Sequence, residues 1–196
     1  MTIFHFAFDS IYQPSRREFL RGSGATLSAF AIALIAGCSS LSAAEKKSSA
    51  DIGATDVNIL NSALGAEQQA IAAYQVGAES GLLQKPVLDL AVQFQGHHKA
   101  HADLLAATVK QLGGNPVAPL ARYEFPTDKL KNQADVLRFA AELERGAVSA
   151  YLSAVPVLGN RDLAKAAASI LGDEAMRWAV LRQAVGENPV PAAFLG

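Results

Sequence analysis

Glu67-Gln-Gln-Ala-Ile-Ala-Ala-Tyr74 decides the fold, because the chain repeats it as Glu144-Arg-Gly-Ala-Val-Ser-Ala-Tyr151. In both copies a β-branched residue follows the glutamate by four positions and a tyrosine by seven. On a helix, steps of three, four and seven return to one face. Leu60, Leu64, Glu67, Ile71 and Tyr74 therefore share one stripe, and Leu137, Ala141, Glu144, Val148 and Tyr151 share another. Each stripe is apolar except for the carboxylate at its centre. A buried charge is costly unless it is paired, hydrogen-bonded or bound to a metal, so the two glutamates call for one explanation.

Outward from these stretches the chain reads as four helices. The first starts near Thr55-Asp56, a good capping pair, and ends by Ser80-Gly81. Pro86 suits the first turn of the second, which runs to about Leu112 and stops at Gly113-Gly114. A proline-rich connection from Asn115 to about Asp128 precedes the third helix, which ends near Ala154 before Pro156. The fourth begins near Asp162 and closes at Gly186. Short links make each successive pair antiparallel, and the long link joins one hairpin to the other. The repeat extends to the turns, where Gly113-Gly-Asn-Pro-Val117 is answered by Gly186-Glu-Asn-Pro-Val190. Two like hairpins, each with an open apolar face, bury those faces against one another.

Composition agrees with this reading. Of 196 residues, 51% are hydrophobic and 18% charged, with a formal net charge of -1, which describes one globular domain with a core. No basic excess or cluster is available to neutralise phosphates, so nucleic acid is not an expected partner.

The first 44 residues differ in character. Ser15-Arg16-Arg17-Glu18-Phe19-Leu20-Arg21 precedes an apolar run from Ala25 to Gly37, which resembles a twin-arginine export signal. The run is shorter than the roughly 20 residues that span a bilayer. Ile35-Ala36-Gly37-Cys38 resembles a bacterial lipobox, whose cysteine is lipidated, while Ser42-Ala43-Ala44 fits ordinary signal peptidase. Cleavage before Cys38 or after Ala44 stays open; both put the folded part in the periplasm or cell envelope. The resemblance implies the twin-arginine translocase as an export partner and, through Cys38, a lipid anchor in a membrane. Residues 45–54 read as a tether, and 55–196 as the folded domain.

The second helix carries a stripe of Ala91, Phe94, His98, His101, Leu105 and Leu112, and the fourth one of Leu163, Ala167, Ile170, Glu174, Arg177 and Leu181. Aligned, His98 matches Glu174 and His101 matches Arg177. The inward polar residues are thus Glu67, His98, His101, Glu144, Glu174 and Arg177. This set resembles the carboxylate-bridged di-iron and di-manganese proteins of the ferritin-like superfamily, which place one Glu on each of two helices and Glu-x-x-His on each of the others. The resemblance covers roughly residues 55 to 187 and implies an all-α, ferritin-like four-helix bundle of two antiparallel hairpins joined by a long crossover. It implies Glu67, His98, His101, Glu144 and Glu174 as metal ligands. Two positions depart from the pattern. His98 stands in place of a carboxylate, a change that a metal accepts. Arg177 stands in place of a histidine, and a guanidinium has no lone pair to give; it fills or borders the second metal position.

Charge leaves two readings open. Three inward glutamates against Arg177 leave two negative charges, which one divalent metal balances, iron or manganese before zinc. Two protonated histidines balance them equally and need no metal. His97 is expected to face solvent or support a neighbour, Tyr74 and Tyr151 to cap the core, and Trp178 to pack in it. No substrate channel is identifiable. The expected function is an exported ferritin-like metal-binding protein with a degenerate site. The resemblance implies redox work on iron(II) or peroxide. The alternative is a non-catalytic scaffold with a metal-free polar core. A homodimer is left open.

Overall fold

A computed structural model describes residues 49–194. The signal reading over 1–44, with Cys38, and the first part of the tether lie outside the described residues. Four helices follow in order: α1 (Ser49–Glu79), α2 (Lys85–Gln111), α3 (Gln133–Ala154) and α4 (Arg161–Ala184). Single 3-10 turns lie at Thr127–Lys129 and Val155–Val157. No strand occurs among the described residues, and none of their helices is long and apolar enough to cross a membrane. α1 packs closely along α2 and α3 along α4, while the hairpins meet more sparsely through α1 and α3.

The helix ends explain the repeated turn. Gly113 N–H bonds the Lys110 carbonyl (3.0 Å) and Gly114 N–H the Val109 carbonyl (2.9 Å). Gly186 N–H bonds the Gln183 carbonyl (3.0 Å) and Glu187 N–H the Arg182 carbonyl (2.9 Å). This is the same Schellman stop twice, and it needs a left-handed residue. Gly113 and Gly186 both have φ of 79°. Asn132 and Asn160 cap the third and fourth helices, accepting from Asp135 N–H (3.0 Å) and Asp162 N–H (2.8 Å).

One boundary is corrected. α1 begins at Ser49, inside the stretch read as a tether, rather than at Thr55-Asp56. Residues 49–54 contain no proline and a single glycine, so nothing stops the helix there. Asp56, which suggested a local cap, is buried and does its capping at a distance. Its carboxylate accepts from the backbone N–H groups of Gly159 (2.8 Å) and Asn160 (3.0 Å), fastening the α3–α4 link to α1.

The stripes face inward largely as the periodicity predicts, except that Leu112, at the end of α2, is exposed, and Val109 is buried instead. Tyr74, Phe94, Leu137, Ala141, Trp178 and Leu181 form one apolar cluster. Leu60, Leu64, Ala102, Leu105 and Val109 form a second, and Tyr151, Leu158, Ala167 and Ile170 a third. Positions along the antiparallel helices set the first cluster at one end of the bundle and the others towards the opposite end. Between them lies a polar layer. Trp178 packs in the core and carries the Arg182 guanidinium over its ring at 5.3 Å; Arg177 lies instead over Phe94, at 5.9 Å.

Candidate metal centre

Each polar residue of that layer projects from the apolar stripe of its own helix. α1 supplies Glu67, α2 His98 and His101, α3 Glu144, and α4 Glu174 and Arg177; all are buried except His101, which is partly so. The carboxylates survive burial because each is compensated. Tyr151 Oη donates to Glu67 Oε1 at 2.6 Å, and Tyr74 Oη donates to Glu144 Oε1. Each tyrosine of the repeat thus serves the glutamate of the other copy. Burial, with the facing carboxylate, raises both phenol pKa values, so the hydroxyls remain donors.

The imidazoles stand between the acids. His98 Nδ1 lies 2.7 Å from Glu67 Oε2 and 3.8 Å from Glu174 Oε1, and its Nε2 lies 3.3 Å from Glu144 Oε1. His101 turns Nδ1 towards Glu174 Oε1 (3.3 Å) and Glu67 Oε1 (3.5 Å), and Nε2 towards Asp173 Oδ2 (3.4 Å). Burial by itself would lower both histidines. For His98 the contacts with Glu144 and Glu67, and for His101 those with Glu174 and Glu67, outweigh it and raise each to about 9. Burial would raise Glu67, but His101, His98 and Tyr151 bring it down to about 2. In the adjacent pair, burial and the neighbouring Glu144 push Glu174 up. Glu144 goes down despite burial, because His98, Glu174 and Arg177 favour its charged form.

Glu67, His98, His101 and Glu174 offer four ligand atoms that all lie within 4.8 Å of one another. Atoms about 2.1 Å from one tetrahedral ion are about 3.4 Å apart, and the His98–Glu174, His101–Glu174 and His101–Glu67 separations above run from 3.3 to 3.8 Å. His101 Nδ1 and Glu174 Oε2 are shielded from solvent and make no hydrogen bond, which suits donors aimed at a cation, whereas Glu174 Oε1 is ion-paired with Arg177. Two imidazoles with two carboxylates form a donor set that iron, manganese and zinc accept.

Glu144, expected among the ligands, is not one of the four. Arg177 Nε lies 3.3 Å from both of its oxygens, and the terminal guanidinium nitrogens form ion pairs with Asp173 and Glu174. A fixed cation thus already stands in that half of the layer. Asp173 escaped the sequence reading. It precedes Glu174 and lies four residues before Arg177, a spacing that could have placed it beside the guanidinium. His97 is half-buried, with Nδ1 3.5 Å from Asp173 Oδ2.

A cleft of about 450 Å³ opens between α1 and α3, with Glu67, His98 and Tyr151 among its lining residues. Its walls include Ala63, Ala66, Ala70, Gly146, Ala147 and Ala150. Small side chains on both facing helices leave the space between them unfilled there, a pattern already legible in the sequence.

A family model described as a ferritin-like domain matches residues 55–187. Among solved structures, a conserved hypothetical protein from Mycobacterium tuberculosis is similar at 24% identity and a TM-score of 0.64, covering 73% of this chain and 99% of that one. A protein from Bacillus anthracis described as ferritin-like and diiron-carboxylate is similar at 19% identity and a TM-score of 0.60, covering 68% and 97%. At these identities the likeness concerns the fold. No curated protein gives a significant match.

Proposed function

The chain belongs to the ferritin-like domain family, and on that footing we propose that it is an exported metal-binding protein holding one divalent ion through Glu67, His98, His101 and Glu174. The observation that carries this is the convergence of four ligand atoms from three helices, with His101 Nδ1 and Glu174 Oε2 buried and without a hydrogen bond. With Nδ1 of each imidazole on the ion, Nε2–H of His98 points at Glu144 and Nε2–H of His101 at Asp173. Such outer carboxylates fix ring orientation and raise ligand basicity. Tyr151 holds Glu67, and Arg177 occupies the position that a second metal would need. A bound iron or manganese would supply one-electron chemistry towards iron(II) or peroxide. The cleft between α1 and α3 gives a small reactant a way to the Glu67 and His98 side of the site. The twin-arginine signal carries the folded domain to the periplasm or envelope, where cleavage before Cys38 would leave it lipid-anchored and cleavage after Ala44 would leave it free.

Elemental analysis of the mature chain after loading with iron, manganese or zinc tests the reading. One equivalent is expected; under a tenth of an equivalent defeats it. A second reading, a metal-free scaffold, draws support from the hydrogen bonds that already join Glu67, His98, Tyr151 and Glu144 to one another or to Tyr74. Ferroxidase or peroxidase activity abolished by Glu174→Gln in a folded protein excludes it.

A further inference from the structure

The cleft between α1 and α3 is larger than a passage for peroxide or a hydrated ion. Its volume of about 450 Å³ equals the share of about fifteen waters in the liquid, and sites of this size take whole organic molecules. The lining runs from Ile59 to Ala70 on α1 and from Glu142 to Ala154 on α3, a length of about 16 Å at the helical rise. Four exposed polar residues, Ser62, Gln69, Glu142 and Ser153, border it. Ala66, Ala70, Gly146, Ala147 and Ala150 make walls with no side chain beyond Cβ. Glu67, His98 and Tyr151 are buried at its floor. Each charged group in the lining already has a partner. Glu142 accepts from Arg145 Nε (3.1 Å) and Nη2 (3.0 Å), and His98 stands between Glu67 (2.7 Å) and Glu144 (3.3 Å). No lysine or arginine among the described residues lines the cleft.

We propose that this cleft binds a neutral organic alcohol or phenol, its apolar body between the α1 and α3 walls and its hydroxyl donated to Tyr151. An organic anion entering here meets two carboxylates and no free cation. An organic cation meets carboxylates whose partners are already in place. Either loses hydration without a matching return, whereas a neutral apolar body gains by leaving water. The floor then selects the polar atom. Tyr151 Oη commits its one proton to Glu67 Oε1 at 2.6 Å. A phenolic oxygen also accepts, so its lone pairs remain for a donor. Glu67 offers acceptors only, and they already face Tyr151 and His98. The floor therefore suits a hydroxyl and rejects a carbonyl or an ether. The proposal goes beyond the metal-binding reading and needs no ion. Where an ion is held, Tyr151 is the hydrogen bond that joins the occupant of the cleft to the ligand Glu67.

Calorimetric and fluorescence titration of the full mature chain with 2-naphthol, with and without metal, tests this. It is run beside 2-methoxynaphthalene, which cannot donate, and 2-naphthoate, which is an anion. The naphthol is expected to bind about three- to tenfold more tightly than the ether, the factor of one net hydrogen bond, and the naphthoate most weakly. Tyr151→Phe should remove the preference for naphthol and leave the affinity for the ether nearly unchanged. Ala147→Leu, which fills space at a half-buried wall position, should weaken both neutral ligands at least about tenfold. Circular dichroism verifies that each variant is folded. The proposal is overturned by no saturable naphthol binding, by equal affinity for the ether, by tightest binding of naphthoate, or by a preference that survives Tyr151→Phe. A dimer of the chain that Ala147→Leu dissociates also overturns it, by putting a second copy in the cleft. Metal bound without naphthol leaves the metal-binding reading standing alone, and naphthol bound without metal leaves the cleft standing alone.

Discussion

Cation binding should be coupled to proton release, with a size set mainly by two imidazoles. Glu174, raised to about 7, adds a fraction of a proton near pH 7. Without a metal, His98 and His101 are raised to about 9 by the carboxylates around them, so at pH 7 both carry the proton that a ligand nitrogen must lose. Deprotonating a group two units below its pKa costs about 2.7 kcal/mol. The pair costs about 5 kcal/mol, or about 10⁴ in apparent Kd relative to the plateau above pH 9. Between pH 7 and 8 the Kd should tighten about 100-fold, two protons leaving per ion. Competition titrations against a chromogenic chelator at several pH values measure the slope, and an indicator dye in weak buffer counts the protons. A change of less than about tenfold per pH unit, or uptake without proton release, would refute the assignment of both imidazoles as ligands. Stability follows the same groups with opposite sense. The raised histidines stabilise the metal-free fold fully below 6.5, and that contribution is lost as pH rises through about 9. Lowered Glu67 contributes above 4.5 and loses its contribution as pH falls towards about 2. Metal-free protein should therefore melt highest between these limits, and the rise in Tm on adding metal should grow as the pH is raised.

Arg177→His restores the Glu-x-x-His spacing and removes the countercharge of Glu144, Glu174 and Asp173. Metal-free variant should lose about 3–5 kcal/mol in urea unfolding, while capacity by elemental analysis rises towards two equivalents; a capacity fixed at one refutes the assignment of the second position. Asp56→Ala strips the acceptor from the Gly159 and Asn160 N–H groups. A loss of about 2–3 kcal/mol is expected, with metal stoichiometry unchanged because Asp56 touches none of the four ligands. A loss under about 0.5 kcal/mol would show that the α3–α4 link needs no such anchor.

Periodicity carried the reading as far as faces. Glu67 and Glu144 were placed on inward stripes because the positions around them are apolar at helical spacing, and α1 to α4 follow from the same count. Contacts across the bundle are another matter, because a stripe says which way a side chain points and nothing about what meets it. Asp56 looked like a local cap since its neighbours are cap-forming, yet its partners lie over a hundred residues away in the chain. Tyr74 and Tyr151 looked like core ends, and only the crossing of the hairpins shows that each reaches the other copy's glutamate.

The deepest gap lay in the treatment of the two glutamates as equivalent. The repeat makes them so, but their surroundings follow from the one position where the halves disagree most in chemistry, His101 against Arg177. An imidazole can take or give a proton and can ligate, so Glu67 and Glu174 gather around His101 in a form that a cation can enter. A guanidinium can only donate, so Glu144 is drawn into ion pairing and Glu174 is shared between the two halves. A near-symmetric frame thus yields one receptive half and one closed half. The difference was visible as a residue type at a known register; its consequence for Glu144 needed the geometry of the opposite helix.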